Sequence, residues 1–198
     1  NADILLTDDF FETVLAIHKK LLKNYLIVGQ RTDVDVDEEL KFNKGWKKDF
    51  KRKYGYFFKL HPPAGSDYFA FPKLQYSLDN MYEFYIGRPG WDNGMIHDAL
   101  KKKHSLVNLN QPSSVYHLNH DYSHKTLPDH FILEKKEIAQ NVSCIPSSSV
   151  DLFTLTACNF FYKNNKLYRN FAMGDMAKHV MITKALGHYG LKNYLFIK

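Results

Sequence analysis

Short apolar runs alternate with amphipathic stretches along the first two thirds of the chain. Ile4-Leu5-Leu6 reads as the end of a buried strand. Thr7-Asp8-Asp9 follows with helix-capping chemistry, its acids placed where a helix dipole favours them. Phe11, Val14, Leu15, Ile17, Leu21 and Leu22 then lay an apolar stripe along a helix over residues 10–23. Tyr25-Leu26-Ile27-Val28-Gly29 predicts a second buried strand, and its exit through residues 30–37 is dense in polar and charged side chains. The basic stretch 44–53 is a helix or loop with a solvated face. Residues 66–72 predict a third strand, stopped by Pro72. Residues 92–103 predict a helix with Met95, Ile96, Ala99 and Leu100 on one side. Residues 106–109 and 114–117 are short strands across a Gln-Pro turn.

Beyond Asp129 the pattern changes. Residues 134–140 read as a charged helix. Residues 152–167 read as a hairpin, with Phe153-Thr154-Leu155-Thr156 and Asn159-Phe160-Phe161-Tyr162 as strand segments and Asn164-Asn165 at the turn. Residues 172–186 predict an amphipathic helix capped by Gly187. Strand–helix alternation followed by a mixed tail predicts an α/β fold: a mixed sheet flanked by helices, with a C-terminal hairpin and helix appendage.

Composition narrows the classes. The 198 residues suit a single domain, and with 44% of them hydrophobic the chain is read as folded rather than disordered. No apolar run approaches the ~20 residues of a membrane span, and the acidic opening Asn1-Ala2-Asp3 is not the basic start of a secretory signal. The net charge of +6 fits either affinity for a polyanion or nucleotide diphosphate, or simple solubility. Lysines cluster at 41–53 and 101–103 without an RNA-binding signature, so nucleic acid is not an expected partner. Cys144 and Cys158 make no disulfide framework and no zinc site; both read as small core residues in a reducing, cytoplasmic compartment. The acceptor pattern Asn141-Val142-Ser143 is read as a chance occurrence.

Three stretches carry candidate chemistry. Asp3 at a strand end can hold a divalent cation that bridges a diphosphate, or can cap the next helix. His117, His120 and His124, with Asp121 among them, follow an apolar strand; imidazole suits Mn²⁺, while the spacing matches no structural zinc site. In Gly87-Arg88-Pro89-Gly90-Trp91-Asp92-Asn93 the glycines permit close backbone approach and Trp91 offers a wall for a sugar ring. Asp92 can serve as a general base or anchor the helix start, and Arg88 can pair with phosphate or form a structural ion pair.

Taken together these residues resemble the GT-A-fold glycosyltransferases of the nucleotide-diphospho-sugar transferase superfamily. Asn1-Ala2-Asp3 resembles their Asp-x-Asp metal motif with asparagine first. Gly90-Trp91-Asp92-Asn93 resembles their second acidic motif, and Val115-Tyr116-His117 the later strand whose histidine completes the metal shell. Val28-Gly29-Gln30-Arg31, residues 67–72 and residues 119–124 are most similar to a group of predicted nucleotide-diphospho-sugar transferases. The likeness spans about residues 1–170. It implies Mn²⁺ or Mg²⁺ held by Asp3 with His117 or His120, a catalytic base at Asp92, and a donor or acceptor pocket lined by Asn1, Arg31, Asp67, Arg88, Trp91 and Asn93. The implied partners are a nucleotide-sugar donor and a glycan or protein-linked acceptor.

In that family roughly a hundred residues precede the metal motif, which here stands at residue 1. The expectation is therefore the C-terminal portion of a catalytic domain, with sheet core and sites in 1–135 and an appendage in 136–198. A preceding segment or a partner chain would complete it, and the strand at 4–6 should have an open edge. The competing reading is a non-catalytic carbohydrate-binding or assembly module of the same fold. A nucleotidyltransferase is disfavoured because no glycine-rich phosphate loop is present.

Overall fold

The structure, a computed structural model, describes residues 3–66, 68–77, 79–109, 115–119, 128–145 and 153–170, with side chains from Glu134 onward in the fifth stretch. It is a mixed α/β arrangement in which helices flank two mixed sheets. The smaller sheet has the order β1 (Ile4–Leu6), β7 (Val115–Leu118), β3 (Thr32–Val34), β4 (Lys59–Leu60). The larger has the order β5 (Phe69–Ala70), β2 (Tyr25–Val28), β6 (Ser105–Leu109), β8 (Phe160–Lys163), β9 (Lys166–Arg169). Parallel pairs, β2 with β6 and β6 with β8, occupy the middle of the larger sheet, and antiparallel strands close both its sides.

All four residues of β2 are buried, as a strand covered on both faces requires. Its odd and even positions serve different cores. Leu26, Val28 and Leu106 face Met95, Ile96, Ala99 and Leu100 of helix α3 (Trp91–Lys101). Tyr25, Ile27, Val107 and Leu109 face Phe10 and Ile17 of helix α1 (Asp8–Leu21), together with Tyr162. The smaller sheet meets that second core through Val115 and Leu6. Its opposite side, Val34 and Tyr116, packs on Phe50 and Tyr54 of helix α2 (Trp46–Tyr54).

Several expectations need correction. Thr7 occupies the N-cap of α1, but its side chain makes no capping hydrogen bond, and the helix starts two residues earlier than the apolar stripe predicts. The polar exit after β2 contains a strand, β3, which pairs on both sides. The turn at Asn164-Asn165 joins β8 to β9, both asparagines at positive φ as a tight hairpin turn demands. Phe153 and Leu155 do not form a strand; a single 3₁₀ turn at Leu155–Ala157 buries their side chains against α3. The charged helix is longer than predicted, α4 at Pro128–Ser143. Cys158 is buried, whereas Cys144 is half-exposed at the end of α4 and both are free thiols. The helix predicted at 172–186 lies outside the described residues. Among those described, no helix is long and apolar enough to cross a membrane, and β1 has one partner, β7.

Gly29 marks the tightest approach in the fold. A Cβ there would lie 2.2 Å from the Tyr68 hydroxyl and 2.7 Å from the Leu109 carbonyl oxygen. That hydroxyl is buried without a hydrogen-bond partner among the described residues, a cost of roughly 1–3 kcal/mol. Tyr68→Phe should therefore hold or raise the melting temperature, while Gly29→Ala should lose about 1–3 kcal/mol through overpacking. Thermal and urea unfolding of the two variants measures both.

Candidate functional site

The smaller sheet assembles the polar centre. Parallel pairing sets Asp33 of β3 directly beside His117 of β7, and antiparallel pairing sets Ile4 of β1 on the other side of His117. The Leu118 amide donates to the Asp3 carbonyl at 2.9 Å, which carries Asp3 to the same end of the sheet. His117 is 5% exposed. Its Nε2 stands 3.4 Å from Asp3 Oδ2, and its Nδ1 stands 3.3 Å from Asp33 Oδ1 and 3.1 Å from Asn119 Oδ1.

Donors surround the Asp33 carboxylate. Arg31 Nε donates to its Oδ1 at 2.7 Å, and His61 Nδ1 lies 2.9 Å from its Oδ2. His61 is delivered by its backbone, whose amide donates to the Arg31 carbonyl at 3.0 Å beside β4. Gly65 leaves room for the ring, since a Cβ there would lie 2.8 Å from His61 Nε2. Burial pushes the Asp33 carboxyl up, but the hydrogen bonds and charges of Arg31 and His61 outweigh it and hold it below the ordinary carboxylate value. Asn119 is oriented in turn, its Nδ2 donating to Asp35 Oδ1 at 2.8 Å so that its oxygen faces His117.

Asp92 approaches from the larger sheet. It sits in the first turn of α3, after Gly90 at φ +89° supplies the left-handed turn into the helix. It is 9% exposed, and its Oδ2 accepts the Ser66 amide at 3.0 Å. Burial pushes its carboxyl above the ordinary value; the Ser66 amide, the helix-start amides and the Arg31 guanidinium oppose the shift without cancelling it. Arg31 thus links Asp92 electrostatically to the Asp33–His117–Asp3 group.

The other predicted residues divide. Arg88 Nε pairs with Glu137 Oε2 at 2.5 Å, tying the loop before α3 to α4, which is its structural reading. Asn93 Nδ2 donates to the Phe153 carbonyl at 2.9 Å inside the core rather than toward Asp92's partners. Trp91 is half-buried and stands edge-on to Phe69 at 5.0 Å, within the core that α3 covers. Asn1, Asp67 and His120 lie outside the described residues. Sequence reading missed Asp33, His61 and Asn119. The alternation Asp33-Val34-Asp35-Val36-Asp37 was a usable signal, because period two marks a strand with one acidic face.

The donor set fits a divalent cation only as an open site. His117 turns its Nδ1 side to Asp33 and Asn119 and its Nε2 side to the Asp3 carboxylate. Among the described residues no cluster of three or more His, Cys, Asp or Glu side chains forms a metal cage. One carboxylate and one imidazole match the sparse protein ligation of Mg²⁺ and Mn²⁺, whose remaining positions go to water and phosphate oxygens. Comparison with protein families, curated proteins and solved structures returns no match.

Asn141 of α4 holds the loop that aims Asp92. It is wholly buried, and its Oδ1 accepts the Tyr85 amide at 2.8 Å. Its Nδ2 serves the carbonyls of Tyr85, Arg88 and Pro89 at 3.0, 3.2 and 3.3 Å. Burial in this role leaves its acceptor pattern inaccessible to glycosylation. Asn141→Ala strands several buried backbone groups and should cost at least about 2 kcal/mol. Urea unfolding reads the loss, and limited proteolysis should show new cleavage between residues 85 and 90.

Proposed function

We propose that the chain carries the metal and base elements of a glycosyltransferase of GT-A type, moving a sugar from a nucleotide-diphosphate donor to an acceptor hydroxyl. The observation that carries this reading is the facing pair of His117 Nε2 and Asp3 Oδ2 at 3.4 Å, on the side of the ring away from Asp33 and Asn119. The sequence resemblance implies Asp3 with His117 or His120 as the metal ligands, and His120 lies outside the described residues. Asp3 and His117 would hold Mn²⁺ or Mg²⁺, which when bound neutralises charge gathering on a leaving diphosphate.

Asp92 fills the base role. In an inverting transfer its carboxylate takes the acceptor hydroxyl proton as the acceptor oxygen bonds to the anomeric carbon. The bond from that carbon to the diphosphate oxygen breaks, and its electron pair leaves with the diphosphate. A buried carboxyl with raised proton affinity suits that task better than a solvated one. Arg31, shared between Asp33 and Asp92, keeps a cation beside the reacting centre.

Two measurements test the reading. Nucleotide sugars offered with Mn²⁺ should raise the melting temperature, because a ligand that prefers the folded state stabilises it. The shift should vanish in Asp3→Ala. No shift with any donor, together with undiminished glycan binding, selects the non-catalytic binding module instead.

The second is kinetic. Asp92→Asn should keep donor binding and lower turnover by about 10²–10⁴-fold. Asp92 acts ionised and its native pKa is raised, so wild-type turnover should climb with pH through a midpoint above the ordinary carboxylate value of about 3.9. The same raised pKa means that ionising Asp92 costs stability as pH rises through the interval between unfolded and folded values. Asp92→Asn lacks that cost at neutral pH. A pH–rate profile and pH-resolved unfolding read the two signs.

A further inference from the structure

We propose that residues 39–60, the layer that covers the smaller sheet, form a docking face for a membrane surface rich in anionic phospholipid headgroups. The proposal stands apart from the functional reading above.

Charge singles out this stretch. Residues 39–60 hold eight Lys/Arg against two acids, while the rest of the chain holds nineteen of each, so the net charge of +6 comes from this stretch alone. Part of that charge is spent inside the protein. Lys47 pairs with Asp9, Arg52 with Asp49 at 2.8 Å, and Lys53 with Asp37 and Glu38 at 3.2 and 2.9 Å. Lys41, Lys44, Lys48, Lys51 and Lys59 have no ion pair among the described residues.

The fold sets these cations beside exposed apolar groups. Helix α2 turns its Trp46, Phe50 and Tyr54 row inward, where the Phe50 ring meets that of Tyr116 at 5.1 Å. Lys48 and Arg52 fall on the opposite row, and both are exposed. The 3₁₀ turn Gly55–Phe57 continues α2 and leaves Tyr56 94% and Phe57 65% exposed. At the other end of the helix Phe42 stands edge-on to Trp46 and is 62% exposed, and Leu60 of edge strand β4 is 53% exposed. A single exposed hydrophobe is ordinary, whereas a group of them in one layer marks an interaction surface.

The combination selects the partner. Lysines beside an anionic leaflet gain from the phosphates across a plane, and aromatic rings settle at headgroup level. A single-stranded nucleic acid asks instead for rings spaced along a basic groove. Here they stand at the two ends of α2, with unpaired lysines between and beyond them.

Co-sedimentation of the full chain with vesicles tests the proposal. At low salt, vesicles of phosphatidylcholine with phosphatidylserine should bind it and vesicles of phosphatidylcholine alone should not. Each lysine near an anionic surface accounts for about fivefold in affinity, so combining Lys44→Gln, Lys48→Gln and Lys51→Gln should weaken binding about 100-fold. Lys163→Gln with Lys166→Gln, at exposed positions on the β8–β9 hairpin, should leave it unchanged. Tyr56→Ser with Phe57→Ser keeps every charge and should still weaken binding about tenfold, through lost apolar burial. Circular dichroism establishes that the variants fold, and the lysine and ring variants give two independent readings. Absence of binding to the phosphatidylserine vesicles overturns the proposal. So does an equal loss in the hairpin variant, or undiminished binding by the ring variant. Tighter binding to a single-stranded RNA oligonucleotide than to the vesicles at the same salt also overturns it, in favour of nucleic acid.

Discussion

The parallel contact between β3 and β7 is the constraint on which the polar centre depends. It joins two strands far apart in sequence and fixes, through backbone hydrogen bonds alone, which side chains become neighbours. Thr32 pairs with Tyr116, Asp33 with His117 and Val34 with Leu118. Because side chains alternate, one register sends Tyr116 and Val34 into the core over α2 and leaves Asp33 and His117 together on the opposite face. A slip of one residue would bury the aspartate and expose the tyrosine. The cost of burying a carboxylate and the gain from burying an aromatic ring both enforce the observed pairing.

The larger sheet serves the site at a distance. Its buried parallel strands fix α3, and α3 fixes Asp92, but the last adjustment belongs to α4. Asn141 grips three carbonyls and one amide of the loop before α3, and Glu137 takes Arg88 from the same loop. The loop's conformation is therefore set by buried polar bonds, which are directional, rather than by apolar contact, which is not. Gly90 completes the arrangement: its positive φ starts the helix, and its missing side chain admits Val142 and Asn141, 3.2 and 3.4 Å from where a Cβ would stand.

How legible this was from sequence follows the type of interaction. Strands β2 and β6 and helices α1 and α3 declare themselves through apolar periodicity, because burial is imposed locally along each element. Strand β3 did not: Thr32-Asp33-Val34 is short and half polar, and it becomes a strand only because β7 and β4 flank it. The hairpin turn was readable from Asn164-Asn165, yet Phe153-Thr154-Leu155-Thr156 reads as strand by composition and is a turn in fact, its hydrophobes claimed by α3. The stretches holding Asp3 and His117, which lie 3.4 Å apart, and the helix start at Asp92 were legible as strand ends and a helix opening. Arg88 and Asn93, from the same motif, bond Glu137 and the Phe153 carbonyl, contacts that a motif does not give because it names residue types and not the direction in which each side chain points. His61 carried no signal; a backbone contact thirty residues from Arg31 brings it in.

Electrostatics separates the two aspartates that share Arg31. Asp33 is half-buried among donors, with a guanidinium on one oxygen and an imidazole on the other, and its proton affinity falls. Asp92 has the same guanidinium within electrostatic reach but is deeper, and the amides it accepts from do not offset its desolvation, so its proton affinity rises. One cation therefore yields opposite outcomes because burial and close donors differ, not because the charges differ. Pairs of titratable groups driven apart in this way divide their labour. The lowered member is a fixed anion fit to hold an imidazole in place, and the raised member is a group able to accept a proton and return it. The two stand accordingly, Asp33 against the histidine ring and Asp92 in the first turn of α3.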